Sequence, residues 1–102
     1  MIDIPHQWLR QSGTPEEFEL SELQRKASAF NLPLEKVIEK FRDRPFGELT
    51  AAWRSFVQQM GSSDELWTFR SPDGTFAQKC GCAGFAIVRG GVICDSFVTL
   101  RT

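Results

Sequence analysis

The amino-acid sequence predicts an α+β fold, with about three N-terminal helices packed on one face of a three-stranded antiparallel C-terminal meander. Apolar residues recur at steps of three and four over about 14–60, which indicates helices, and they alternate over about 65–101, which indicates strands. Gly90-Gly91 lies between two β-rich runs and is a favoured two-residue hairpin connection. We expect residues 1–102 to form one domain.

Each helix is predicted from an apolar stripe. The first is expected to begin at Thr14, because Pro15 suits the first helical position and Glu17 stands three residues on, the spacing of a capping box. Ser21, followed by Gln24, is an alternative start. The three stripes are Leu20, Leu23, Ala27, Phe30; Leu34, Val37, Ile38, Phe41; and Phe46, Leu49, Trp53, Phe56, Met60.

The glycine turn also sets a register for the last hairpin. It pairs Val88 with Ile93 and Gly84 with Phe97, so that a large ring lies over a cross-strand glycine. "SPDGT" at 71–75 predicts a turn before this hairpin. The face predicted to join the core carries Phe85, Ile87, Val92, Cys94, Val98 and Leu100. The opposite face carries Cys82, Ala86, Val88, Ile93, Asp95, Phe97 and Thr99.

That opposite face predicts an interaction surface. Val88, Ile93 and Phe97 make it more apolar than a solvated sheet face, and the last strand offers an unpaired edge. Both features favour self-association, most economically as a homodimer, or binding of a small protein partner. The alternative is that the N-terminal segment covers the face with Ile2, Ile4, Trp8 and Leu9.

The stretch "KCGCAG" raises a second hypothesis, a thiol or metal site at Cys80 and Cys82. The predicted register places Cys94 on the other face, and the single histidine, His6, is remote in sequence, so four zinc ligands do not converge. A disulfide across one glycine would be strained. We therefore expect these small residues to mark a tight bend into a strand, and we predict no metal and no cofactor.

A third hypothesis is a helix-turn-helix DNA-binding regulator over residues 21–42. Asn31 would be the left-handed turn residue, and Leu32 and Val37 would be buried supports. The basic residues available to DNA are Lys36, Lys40, Arg42 and Arg44. Because Glu35, Glu39 and Asp43 interleave with them along the sequence, nucleic-acid binding is possible but not favoured.

Composition and charge exclude several other classes. The chain has 41% hydrophobic and 25% charged residues and a formal net charge of -1, so it lacks an overall basic field for nucleic acid or membrane. No signal peptide or membrane span is recognisable, and three cysteines without an export signal favour the cytoplasm. No catalytic set converges in the sequence, so we expect a protein that is not an enzyme.

The stretch "ELWTFRSP…CGCAGFAIVRGGVICDSFVTLRT" resembles the C-terminal part of short bacterial proteins of no assigned function. These share an ELWxFxSP start, an AGxAxVRxG strand and turn, and a DSxVTL ending, and the likeness covers roughly residues 65–101. The resemblance implies a bacterial origin and a recurrent β-hairpin module. It implies no substrate, cofactor or catalytic residue.

Overall fold

The computed structural model describes residues 4–102. Over these residues the chain forms four α-helices and one four-stranded antiparallel sheet, which confirms the α+β class and adds one helix and one strand to the prediction. Short 3-10 turns at His6–Trp8 and Gly47–Leu49 precede the first strand and the third helix. The elements are, in chain order, β1 (Leu9–Gly13), α1 (Pro15–Phe30), α2 (Leu34–Phe41), α3 (Thr50–Val57), β2 (Glu65–Arg70), α4 (Asp73–Ala77), β3 (Cys82–Arg89) and β4 (Val92–Arg101).

The chain divides into two compact units. We call Thr14–Val57 the helical unit, and the described residues up to Gly13 together with Gln58–Thr102 the sheet unit. The boundary lies close to the predicted change from helical to strand periodicity. The N-terminal strand is the exception, because it belongs to the sheet unit although it precedes the helices.

In the helical unit, α1 begins where the capping pattern placed it. The Thr14 hydroxyl accepts a hydrogen bond from the backbone N–H of Glu17, and the Glu17 carboxylate accepts one from the N–H of Thr14, each at 3.1 Å. The alternative start at Ser21 is therefore wrong. The helix ends at Asn31 in the left-handed conformation (φ 54°), and the N–H of Leu32 closes the end on the Ala27 carbonyl at 3.0 Å.

Trp53 is the largest fully buried side chain of the helical unit. Its ring centroid lies 4.6 Å from that of Phe46, and its indole N–H donates to the Glu19 carboxylate at 3.0 Å, which satisfies a buried donor. Helix α3 is shorter than the predicted segment from Phe46 to Met60. Gly47, at φ 59°, lies in the 3-10 turn before it, so the regular helix begins only at Thr50.

The sheet has the order β1-β2-β3-β4. Strand β1 pairs Leu9 with Phe69 and Gly13 with Leu66, and a bulge at Arg10 interrupts the ladder. "LRQSG" is short and has one apolar residue, so it carries no alternating pattern that would predict a strand. Strand β1 pairs with β2 and therefore adds a fourth strand to the predicted three-stranded meander.

The predicted register of the last hairpin is correct only next to the turn. Val88 pairs with Ile93 as predicted, but Ile87 then pairs with Asp95, which leaves Cys94 as an extra residue in β4. One inserted residue moves every following side chain to the opposite face. Phe97 consequently pairs with Phe85, and Gly84 pairs with Val98, so the prediction of a ring over the glycine is wrong.

The register shift changes which side chains of β4 lie on each face of the sheet. One face, which we call the Phe69 face, is covered by the N-terminal segment, because Ile4, Trp8 and Leu9 pack with the sheet residues there. Ile2 lies outside the described residues. The other face carries the buried Leu66, Phe85 and Ile87. The sheet residues of the cluster on the Phe69 face are Phe69, Cys82, Ala86, Ile93 and Val98.

Candidate functional site

The outer edge of β4 is the candidate site. This ten-residue strand is the last in the sheet order, and among residues 4–102 it pairs with β3 alone. An edge strand presents alternate N–H and C=O groups that no ladder satisfies, so it can pair with a strand of another chain. The opposite edge, β1, has five residues and offers half that length.

The side chains of β4 leave much of this edge unprotected. Natural edges are commonly blocked by lysine, proline, shortness or β-bulges. "VICDSFVTLR" has neither lysine nor proline, and its two bulges lie outside Asp95–Val98. Asp95 and Arg101 are its charged residues, while Val92 is 63% exposed and Leu100 is 44% exposed. Bulges at Cys94 and Thr99 bend the strand and bound a regular stretch, Asp95–Val98. This stretch is the part of the edge best suited to pairing.

The three residues predicted to form an interaction surface do not lie on one face. Val88 is buried, and Ile93 packs against the cluster that contains Ile4. Phe97 pairs with Phe85 on the face opposite Phe69, because the bulge at Cys94 reverses its orientation. The register-based surface is therefore wrong as a single surface, whereas the predicted free edge of β4 is present among the described residues.

The three cysteines differ in how far they are buried. Cys82, the first residue of β3, is a buried member of the cluster on the Phe69 face, where it acts as a small apolar side chain. Cys80 is exposed in the bend before it, and Cys94 is exposed at the bulge, so the predicted core position of Cys94 is wrong. All three are free thiols. Among residues 4–102 no three metal-ligating side chains converge, and His6 lies exposed in the first 3-10 turn.

A hydrogen-bonded junction, which the sequence did not reveal, holds the bend at "KCGC". Ser71 is fully buried, and its hydroxyl accepts the N–H of Cys82 at 2.9 Å and lies 2.7 Å from the Thr75 hydroxyl. Lys79 has a positive φ of 59°, and the N–H of Cys80 donates to the Thr75 carbonyl at 2.8 Å. The predicted turn at 71–75 becomes the short helix α4. The chain turns at Gln78 and Lys79, just before the predicted small residues, of which Cys82, Ala83 and Gly84 belong to β3.

A small cleft of about 280 Å³ opens beside the bulge in β4. It is lined by Gln59, Ile87, Arg89, Cys94 and Asp95. The Cys94 thiol lies 3.5 Å from the Ile87 carbonyl oxygen, so the thiol has a local acceptor. The cleft therefore lies at the bulge of β4.

An ion pair fixes the start of β2 to the end of β3. Arg89 donates to both carboxylate oxygens of Asp64, at 2.8 and 2.7 Å, and the N–H of Gly61 donates to the same carboxylate at 2.9 Å. The hydrogen bonds from Arg89, followed by that from Gly61, lower the pKa of Asp64 to about 2. The Asp64 carboxylate in turn raises the pKa of Arg89.

The helix-turn-helix residues have a mixed outcome. The left-handed conformation of Asn31 and the complete burial of Val37 agree with the pattern. Leu32, which should be a buried support, is 43% exposed, so that prediction is wrong. The candidate DNA-contacting residues are all exposed: Lys36, Lys40, Arg42 and Arg44.

Comparisons with protein-family models, with curated proteins and with solved structures yield no match to this chain. The geometry of the described residues is therefore the basis for the functional argument. Over those residues, no helix has the length and apolar character needed to cross a membrane.

Proposed function

We propose that this protein is a small cytosolic, non-catalytic interaction protein that self-associates by antiparallel pairing of β4 with β4 of a second copy. The observation that carries the proposal is the ten-residue edge of β4, which has no strand on its outer side among the described residues. Backbone pairing across such an edge joins two sheets without requiring any other groove. The Phe69 face is covered by Ile4 and its neighbours, so the edge replaces that face as the proposed interface.

The placement of the exposed apolar residues supports a second copy as the partner. Val92 pairs with Arg89 of β3 and Leu100 pairs with Ala83, so both side chains lie on the same face of the sheet. When two copies of this strand run antiparallel, the Val92 end of one lies beside the Leu100 end of the other, and apolar pairs across strands are favourable. A two-fold axis forms this contact twice, and it closes the assembly as a dimer.

The exposed apolar residues at the ends of the edge support the same arrangement. Val92 and Leu100 lose their water contact if a second strand lies alongside them, and burying apolar surface contributes about 25 cal/mol per Å². This contribution adds to the backbone hydrogen bonds. A strand with an exposed apolar residue near each end, both on one face, is suited to antiparallel pairing with its own copy.

The test is the oligomeric state at about 100 µM, measured by native mass spectrometry and sedimentation velocity, against a Val92→Lys/Leu100→Lys variant. Lysine on an edge strand opposes strand addition, because its charge would have to be desolvated at the interface. We expect a dimer for the native chain and at least a tenfold higher dissociation constant for the variant, which corresponds to about 1.4 kcal/mol.

A matched control is Leu20→Lys/Leu32→Lys, which adds the same charge at two residues of the helical unit that are 42% and 43% exposed. This control should dimerise as the native chain does. A native chain that is monomeric at that concentration would refute the proposal. A dimer that resists the β4 substitutions but is lost in the control would place the interface in the helical unit instead.

The helix-turn-helix alternative receives less support from the structure. Residues 21–42 contain the predicted left-handed Asn31, but the exposure of Leu32 removes one of the two apolar supports that the motif requires. Duplex binding by Lys36 and Lys40 remains a distinct hypothesis. Retention of the native chain on duplex DNA at low salt, weakened tenfold by Lys36→Glu/Lys40→Glu, would support it.

A further inference from the structure

The helical unit presents an exposed aromatic pair where α1 ends. Phe30 is the last residue of α1 and is 58% exposed, an unusual position for a large apolar ring. Its ring stacks on that of Phe41 with centroids 6.2 Å apart and an interplanar angle of 23°. Phe41 thus supports the ring of Phe30, which keeps a large part of its surface in water.

Two lysines flank this aromatic pair. The ammonium groups of Lys26 and Lys40 lie 5.9 and 5.6 Å from the centroid of the Phe41 ring, within the range of cation–π contacts. Within residues 4–102 neither lysine forms an ion pair, whereas the neighbouring Arg25 is bound to Glu22 at 2.7 Å. Both ammonium groups therefore remain available to an anion. We call Phe30, Phe41, Lys26 and Lys40 the aromatic-basic platform.

The residues around the platform carry an excess of basic charge. On a helix, side chains three and four residues apart are neighbours, so Lys36 lies beside Lys40 and also beside Glu39. The residues from Arg25 to Arg44 include six basic and three acidic side chains, and Glu22, one turn before Lys26 on α1, is bound to Arg25. The platform consequently lies at the basic end of the hairpin of α1 and α2.

We propose that the aromatic-basic platform binds single-stranded nucleic acid, with a base stacked on the exposed ring of Phe30 and phosphates held by Lys26 and Lys40. Proteins that bind single strands combine exposed aromatic rings with positive charge, because every base has a face that can stack and every phosphate is negative. The bases of a duplex are already stacked and closed to such a ring. This inference is independent of the proposed pairing of β4.

The test is fluorescence anisotropy of labelled oligo(dT) and oligo(U) of about 15 nucleotides, titrated with the full chain at about 50 and 200 mM salt. We expect Phe30→Ala to weaken binding about tenfold at both salt concentrations, because stacking does not depend on salt. For Lys26→Gln/Lys40→Gln, the slope of log affinity against log salt concentration should become shallower by about 1.4. This is the change expected when two phosphate contacts on a single strand are lost.

Matched controls use the same changes elsewhere. Leu20→Ala removes an exposed apolar side chain from the same helix, and Arg10→Gln/Lys79→Gln removes two exposed charges from the sheet unit. Neither control should alter the affinity more than twofold. Comparison of oligo(dT) with oligo(U) then shows whether the bound strand is DNA or RNA.

Three outcomes would overturn the inference. The first is no anisotropy change for either oligonucleotide at about 50 mM salt. The second is tighter binding to a duplex of the same length, which would restore the helix-turn-helix hypothesis. The third is equal binding to heparin or to vesicles containing anionic lipid with no loss in Phe30→Ala, because attraction to any polyanion needs no stacked base.

Discussion

The two units of this protein differ in how their structure is specified. In the helical unit the decisive contacts are local: Thr14 caps a helix through a residue three positions on, and Asn31 ends it four residues after Ala27. In the sheet unit the decisive contacts join distant residues, such as Leu9 with Phe69 and Arg89 with Asp64. Local rules therefore located α1 closely, whereas the sheet depended on partners that sequence periodicity does not identify.

The difference also separates the two candidate surfaces. The β4 edge exists because of the strand order, a property of the whole sheet. The aromatic-basic platform exists because residues at helical spacing on α1 and α2 meet at Phe41. The substitutions below test the long-range contacts that specify the sheet unit and the local contacts that specify the helical unit.

Gly84→Ala should give the largest effect. A Cβ at this position would overlap the carbonyl oxygen of Phe97 and lie 2.9 Å from the Cα of Val98, so β4 would have to move. We expect a loss of about 3 kcal/mol of unfolding free energy, at the upper end for overpacking, because backbone cannot rotate away as a side chain can. Urea denaturation followed by tryptophan fluorescence measures it.

Gly74→Ala is the matched control for that substitution. A Cβ on Gly74 meets no atom within 4 Å, and the residue lies inside the helix α4. The change should be neutral or stabilising by up to about 1 kcal/mol, since alanine favours helix. Equal losses for both substitutions would show that the bulged pairing of Gly84 with Val98 does not constrain the sheet unit.

Thr14→Ala should give a smaller loss, about 1 kcal/mol, because it removes a helix cap. The effect of Thr14→Ala should be confined to the local contacts of α1. Ser21→Ala changes an exposed residue inside the same helix and serves as the control. It should be near neutral. Thermal unfolding followed by circular dichroism would check both. A larger loss for Ser21→Ala would contradict the capping box as the start of α1.

Asp64→Asn should give an effect that, unlike the effects above, depends on pH. The pKa of Asp64 is about 2 in the folded chain, below the value of about 3.9 expected when unfolded, because Arg89 and Gly61 donate to its carboxylate. The unfolded state therefore takes up the proton first as pH falls. The stabilisation by Asp64 is present above about pH 4 and is lost as pH falls toward 2.

Urea denaturation at pH 7, 4 and 2.5 should show native and Asp64→Asn chains differing at pH 7 and converging at the lowest pH. Asp73→Asn is the control, because that carboxylate is almost fully exposed and lies 4.0 Å from Arg70. It should change the unfolding free energy little at any of these pH values. A constant difference between the native and Asp64→Asn chains across pH would mean that the ion pair with Arg89 does not carry the effect.

Local features could again be predicted from the sequence better than contacts between distant residues. Glycines at 90 and 91, both with positive φ, made the turn and its nearest pairs predictable. The bulge at Cys94 was not predictable from the sequence. The register with the bulge and the register without it both place apolar residues on each face of the sheet, so the hydrophobic pattern does not distinguish them. The candidate edge was anticipated from strand order alone, while the platform at Phe30 was missed because its residues read as a core stripe.

The sequence by itself determined the α+β class, the cap at Thr14, the turn at Asn31 and the hairpin at Gly90-Gly91. These features depend on backbone preferences and on side chains a few residues apart, which periodicity and turn chemistry describe directly. The tertiary structure alone decided the pairing of Leu9–Gly13 with β2, the burial of Cys82 and the orientation of Phe97. These depend on which distant strand supplies the hydrogen-bond partners, and a single inserted residue reverses the outcome.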